Sequence, residues 1–193
     1  MALPAYIDAT TGAITDGEAW VALASTTLGS DTATVTFTST DDGQVGDWSQ
    51  YMDLVLIAYA RGETAAIWDN GLMRFNNDTG SNYPYQVLVG DGSSVAAASG
   101  TTTGVFIRTL GTSAGANEFA AVIAHLFDIN SGKYKSVVTQ AAADSDGDGF
   151  VRMGAGTWKS QAAITEIDLV PGAGNLLAGS SFSLFGVLPR MVA

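Results

Sequence analysis

Residues 32–40 read TATVTFTST. Ala33, Val35 and Phe37 alternate with Thr32, Thr34, Thr36 and Thr38, so an extended chain carries apolar groups on one face and hydroxyls on the other. That period of two predicts a half-buried strand, and the segments on either side extend the reading. Tyr51 to Tyr59 (YMDLVLIAY) is a nearly continuous run of strand formers closed by Arg61-Gly62, the pattern of a central strand covered on both faces. Further strands are expected at Thr64–Trp68, Leu72–Phe75, Tyr85–Val89, Val105–Thr109, Lys133–Gln140, Phe150–Met153, Ile164–Leu169 and Phe182–Leu188. Asn70-Gly71 between two of them predicts a hairpin turn, because both turn positions call for positive φ. Gly90 to Gly104 (GDGSSVAAASGTTTG) has low complexity and is expected to be a surface loop. Asn117–Ile129 fits a helical or a strand period, and the strand reading agrees with every neighbour.

Short strands at regular spacing, with no clear amphipathic helix, predict an all-β antiparallel sandwich of the jelly-roll kind over residues 31–193. Residues 1–30 show no such period. They are expected to form an extended N-terminal arm whose scattered Tyr6, Ile7 and Trp20 order on a partner.

Composition narrows the function. Ala, Gly, Thr and Ser make up 29, 23, 20 and 16 of the 193 residues, a small-residue bias suited to sheets and turns rather than helix bundles. Eight basic against nineteen acidic residues give a net charge of −11, which leaves no basic stripe for nucleic acid. With no cysteine, disulfides, thiolate chemistry and Cys-type zinc sites drop out. Apolar runs such as Leu54–Ala60 are far shorter than the ~20 residues of a membrane-spanning helix. Met1-Ala2-Leu3-Pro4 lacks the charged and apolar regions of a secretory signal, so Asn77-Asp78-Thr79 is not read as a glycosylation site.

Few residues could carry chemistry. Asp144, Asp146 and Asp148 in DSDGDG match the first half of a calcium loop, whose alternate carboxylates supply hard oxygen ligands. The twelfth position, where a bidentate Glu belongs, is Ala155, so a soluble hairpin tip turned by glycine competes with a weak calcium site. His125 is the single histidine, set among apolar residues and read as a satisfied imidazole rather than a general base. Glu166 and Asp168 share one strand face about 7 Å apart and read as a solvated pair rather than glycosidase acids. Trp20, Trp48, Trp68 and Trp158 could stack on sugars, but a core poor in large residues needs them as filler. No catalytic set emerges, and no cofactor is expected beyond the calcium possibility.

Three stretches together resemble a group of tailed-phage virion proteins. Phe75, Asn76, Asp78, Asn82 and Tyr83 match a Phe-Asn-x-Asp-x-x-x-Asn-Tyr element, Gly156-Thr157-Trp158 with Ala163–Ile167 is similar to a penultimate strand, and Phe182–Val187 (FSLFGV) looks like a closing Phe-Ser-Leu-Tyr-Gly-Ile strand. The likeness covers residues 31–188. Phe185 and Val187 depart from the usual Tyr and Ile, and the loop Asp41–Ser49 replaces a compact Ile-Pro-x-x-Tyr passage. The resemblance implies a non-enzymatic component made in the host cytoplasm and carried on the outer surface of the virion. The role expected is a capsid decoration or cement protein that binds the major capsid protein, as a trimer, without nucleic acid or membrane. A tail or fibre module recognising a host glycan is the alternative, and a glycan-cleaving enzyme is a third. The motif's Asn and Asp side chains suit a self-capped turn, so they are read as structural.

Overall fold

The computed structural model describes residues 20–188. They form twelve strands: β1 Trp20–Thr27, β2 Val35–Thr38, β3 Asp53–Ala60, β4 Trp68–Phe75, β5 Tyr83–Gly90, β6 Val95–Thr102, β7 Val105–Leu110, β8 Ala120–Phe127, β9 Lys135–Ser145, β10 Asp148–Trp158, β11 Glu166–Val170 and β12 Ser181–Val187. One antiparallel sheet has the order β1-β12-β3-β8-β9-β10-β5-β6, and the other β2-β11-β4-β7.

The hairpins β5–β6 and β9–β10 are additions to a simpler plan. Without them, the eight remaining strands stack first-eighth-third-sixth in one sheet and second-seventh-fourth-fifth in the other. That is the jelly-roll order, in which every strand pairs with its mirror image along the chain. The two hairpins join side by side through β10 and β5, and they widen one sheet from four strands to eight.

The core follows from alternation. Leu54, Leu56 and Ala58 of β3, with Val122, Ala124 and Leu126 of β8, pack in one cluster with Met73, Phe75, Ile167 and Leu169 from the smaller sheet. Phe150 and Trp158 of β10, Val137 and Ala141 of β9 and Tyr83 of β5 join that cluster, so the β9–β10 hairpin shares the core along its length. β6 is different: seven of its eight residues are exposed, on both faces. Its register comes from β5 alone, held by a turn in which Asp91 accepts the Ser93 and Ser94 amides at 3.0 and 2.7 Å. Those bonds, with the two serine hydroxyls, hold the Asp91 carboxyl well below the ordinary carboxylate range.

Several expectations are corrected. The irregular leader expected through residue 30 meets a strand from Trp20, where β1 pairs with β12. A bulge between Ala22 and Ala24 shifts the register and hides the alternation. The hairpin expected at Asn70-Gly71 is the middle of β4, and no strand occupies residues 64–67. Gly71 is there for space, since a Cβ would stand 3.0 Å from the Ile107 carbonyl and 3.1 Å from that of Val170. The expected loop of residues 90–104 contains β6, and Gly154-Ala155-Gly156 lies within continuous β10. Gly186 faces the Tyr51 ring, which a Cβ would approach to 2.5 Å. The ambiguous 117–129 segment is strand β8.

Candidate functional site

The residues that carry the phage resemblance form one hydrogen-bonded knot. The chain leaves β4 at Phe75, and Asn76 and Asn77 both take positive φ, 50° and 58°, to reverse it. The Asn76 amide donates to the Ala163 carbonyl at 2.7 Å, while its oxygen accepts the Thr165 and Glu166 amides at 2.9 and 3.1 Å. Asp78 accepts the Trp158 indole N–H at 2.8 Å, the Gly80 amide at 2.9 Å and the Asn82 side chain at 3.0 Å. Tyr83 donates its hydroxyl to the Asp78 carbonyl and accepts the Phe75 amide, each at 3.1 Å. The element around Phe75–Tyr83 therefore clasps the other stretch, Trp158 and Ala163–Glu166, although the two lie some eighty positions apart. Beneath them, the Phe75 ring packs 6.0 Å from Tyr83 and 5.6 Å from Trp158.

Titration properties follow from this geometry. Burial would raise the Asp78 carboxyl, but the bonds from Trp158, Gly80 and Asn82 together outweigh it and hold the group below its ordinary value. Burial pushes the Tyr83 hydroxyl up to about 12. The groups that tie the knot together bond to other groups of the chain, which is a structural arrangement.

The other candidates stay apart. His125 Nε2 lies 3.0 Å from Asp53 Oδ2, and its ring stacks on Phe127 at 4.0 Å. Asp53 Oδ1 in turn accepts the Asp128 amide at 2.7 Å, so the acid positions the imidazole and the β8 terminus together. Asp168, read as solvated, is buried and accepts the Thr36 hydroxyl at 2.6 Å; Glu166 accepts from Asn77. Trp48 and Trp158 fill the core as expected, but Trp20 and Trp68 are largely exposed, Trp20 against Phe185 and Trp68 under the Arg108 guanidinium.

The Asp144–Asp148 segment is the β9–β10 hairpin tip, with Asp146 and Gly147 at φ 49° and 95°. Asp144 accepts the Gly147 amide at 3.3 Å, and Asp148 opens β10 opposite Ser145. Among the described residues, no three His, Asp or Glu side chains stand close enough to hold a metal ion. No helix among the described residues is long and apolar enough to cross a membrane. Tyr6 and Ile7 lie outside the described residues.

What sequence reasoning missed is a surface. On the outer side of the eight-stranded sheet, cross-strand partners line up in rows from β1 to β6. One row passes through Ile57, Ile123, Gln140, Met153 and Leu88 in adjacent strands. The next passes through Tyr59, Ala121, Ala142 and Val151 and ends at Val95. A third crosses Val55, itself buried, and then His125, Val138, Ala155 and Gln86. None of these three rows contains Lys, Arg, Asp or Glu at any of the eight strands. Val95, Val151 and Met153 are 75, 68 and 54% exposed. Each strand alone shows apolar residues on both faces, and that double alternation was the available signal.

No model of a known protein family matches this chain, and no curated protein matches it in sequence.

Proposed function

We propose that the chain is a phage virion structural protein, a decoration or cement protein that binds the major capsid protein on the outside of the shell. It acts without catalysis or cofactor, as a homo-oligomer of the trimeric kind the resemblance implies, and it is made in the host cytoplasm before joining the particle. The observation that carries this reading is a band of three uncharged rows across the outer face of the eight-stranded sheet, flanked by Asp53 and Asp144, in a chain of net charge −11. Contiguous exposed apolar surface of this kind is an interaction surface in soluble proteins. The knot supports the reading in a second way, because the side chains that carry the phage resemblance are committed to holding the fold together.

The capsid contact is assigned to the N-terminal arm with Tyr6 and Ile7, which leads into Trp20 at the edge of the sheet. Adding the protein to undecorated heads should raise their disruption temperature, since a ligand that binds only the intact shell stabilises it by mass action. Deleting residues 1–19 should abolish attachment and leave the circular dichroism unchanged. The deletion stops before Trp20 because β1 belongs to the sheet. Heads that gain no stability, together with binding to host polysaccharide, would replace this reading with the tail-module alternative.

A further inference from the structure

We infer that the outer face of the eight-stranded sheet is covered by a neighbouring copy of this chain, centred on Ile123, Met153, Leu88 and Val151. This deepens the proposed function and rests on it only in treating the face as an interface.

Three observations select a second copy. The first is charge. Each chain carries −11, so two copies repel through most of their surfaces, and the three uncharged rows are where they can approach without placing acid against acid. A face with no Lys or Arg also offers nothing to hold an acidic partner, and one with no Asp or Glu nothing to hold a basic one. The second is area. Eight strands about 4.8 Å apart, crossed by three rows about 7 Å apart, span about 38 by 20 Å, or about 750 Å² on each copy. A pair of such faces buries about 1,500 Å², the size of a standard stable interface. The third is the edge. β6, VAAASGTT, ends the same face with seven exposed residues and no charge or proline, the devices by which strand edges are normally kept from pairing. Face and edge form one continuous surface fitted to the same chemistry on another copy. A dimer sets the face against its equivalent, and a trimer sets it against a second surface of the next copy. In both it is buried by this chain.

The chain has no cysteine, which makes the test direct. In sedimentation at about 10 µM the full chain should run as a multiple of its 19.8 kDa, and the double variant Leu88→Glu, Ile123→Glu should run at 19.8 kDa with an unchanged far-ultraviolet circular dichroism spectrum. Thr38→Lys, an exposed position on the outer side of the smaller sheet and so away from this face, should keep the wild-type mass. A single Val151→Cys thiol should react at least tenfold more slowly with a maleimide at about 10 µM than after dilution to about 10 nM. A wild-type monomer at about 100 µM, a double variant of undiminished mass, or a thiol equally slow at every dilution would each overturn the inference. The last outcome would mean that the chain's own remaining residues cover the face. A monomer that still stabilises heads would sink this inference and the trimeric state while leaving the decoration role standing, and an intact oligomer that fails to stabilise them would sink the decoration role alone.

Discussion

Asp78 takes hydrogen bonds from Gly80 and Asn82 in its own turn and from Trp158, eighty positions away. Removing the carboxylate leaves the indole N–H of Trp158, whose ring is buried, without its partner, so Asp78→Ala should cost about 2 kcal/mol in urea unfolding, with a shift in tryptophan emission. The carboxyl is held below its ordinary 3.8, so it contributes stability above that pH and loses the contribution as pH falls through the lowered folded value. The Trp158 emission change should therefore appear below pH 3.8, and Asp78→Asn should remove that acid transition. Tyr83 works in the opposite direction. Its folded value of about 12 exceeds the ordinary 10.0, so the neutral hydroxyl stabilises the fold below pH 10.0, and that contribution disappears as pH rises towards 12. Tyr83→Phe should cost about 1 kcal/mol and remove the late phenolate absorbance. The knot was legible in outline, because Asn and Asp in a long turn point to self-capping. The clasp on Trp158 was not, since nothing local records contacts eighty positions away. The His125–Asp53 pair was hidden for the same reason: it depends on the β3–β8 register.

Strand by strand, the sequence was readable wherever one face alone is buried. Val35 and Phe37 point inward from β2 and the threonines between them point out, as alternation requires. The misreadings share a cause, which is that a neighbour rather than the segment itself determines the structure. β6 buries almost nothing and is a strand because β5 pairs with it. β1 loses its period at the bulge, and β4 contains the strongest turn dipeptide in the chain as a spacer between carbonyls. That last point has a measurable consequence. Gly71→Ala must push β4 away from Ile107 and Val170, so it should destabilise the protein by about 2 kcal/mol in chemical denaturation, where a turn glycine of negative φ would have tolerated alanine. The widened sheet escaped the sequence altogether. Its outer apolar residues resembled ordinary core positions until the register placed them on the side away from the second sheet.

In the proposed oligomer, shape and charge act against each other: the apolar rows favour contact between copies while −11 on each opposes it. Salt screens the second effect and leaves the first, so association should tighten severalfold between about 20 and 500 mM sodium chloride, as read by sedimentation. A weakening with salt would point to ion pairs at the contact instead. A different property follows from the pairing of the first strand with the last. Trp20 sits directly opposite Val187, so the two ends of the described chain emerge side by side at one corner. A circularly permuted form, with those ends joined and new ones opened between Asp146 and Gly147, keeps every strand in place. The described chain thus enters and leaves the fold at that single corner.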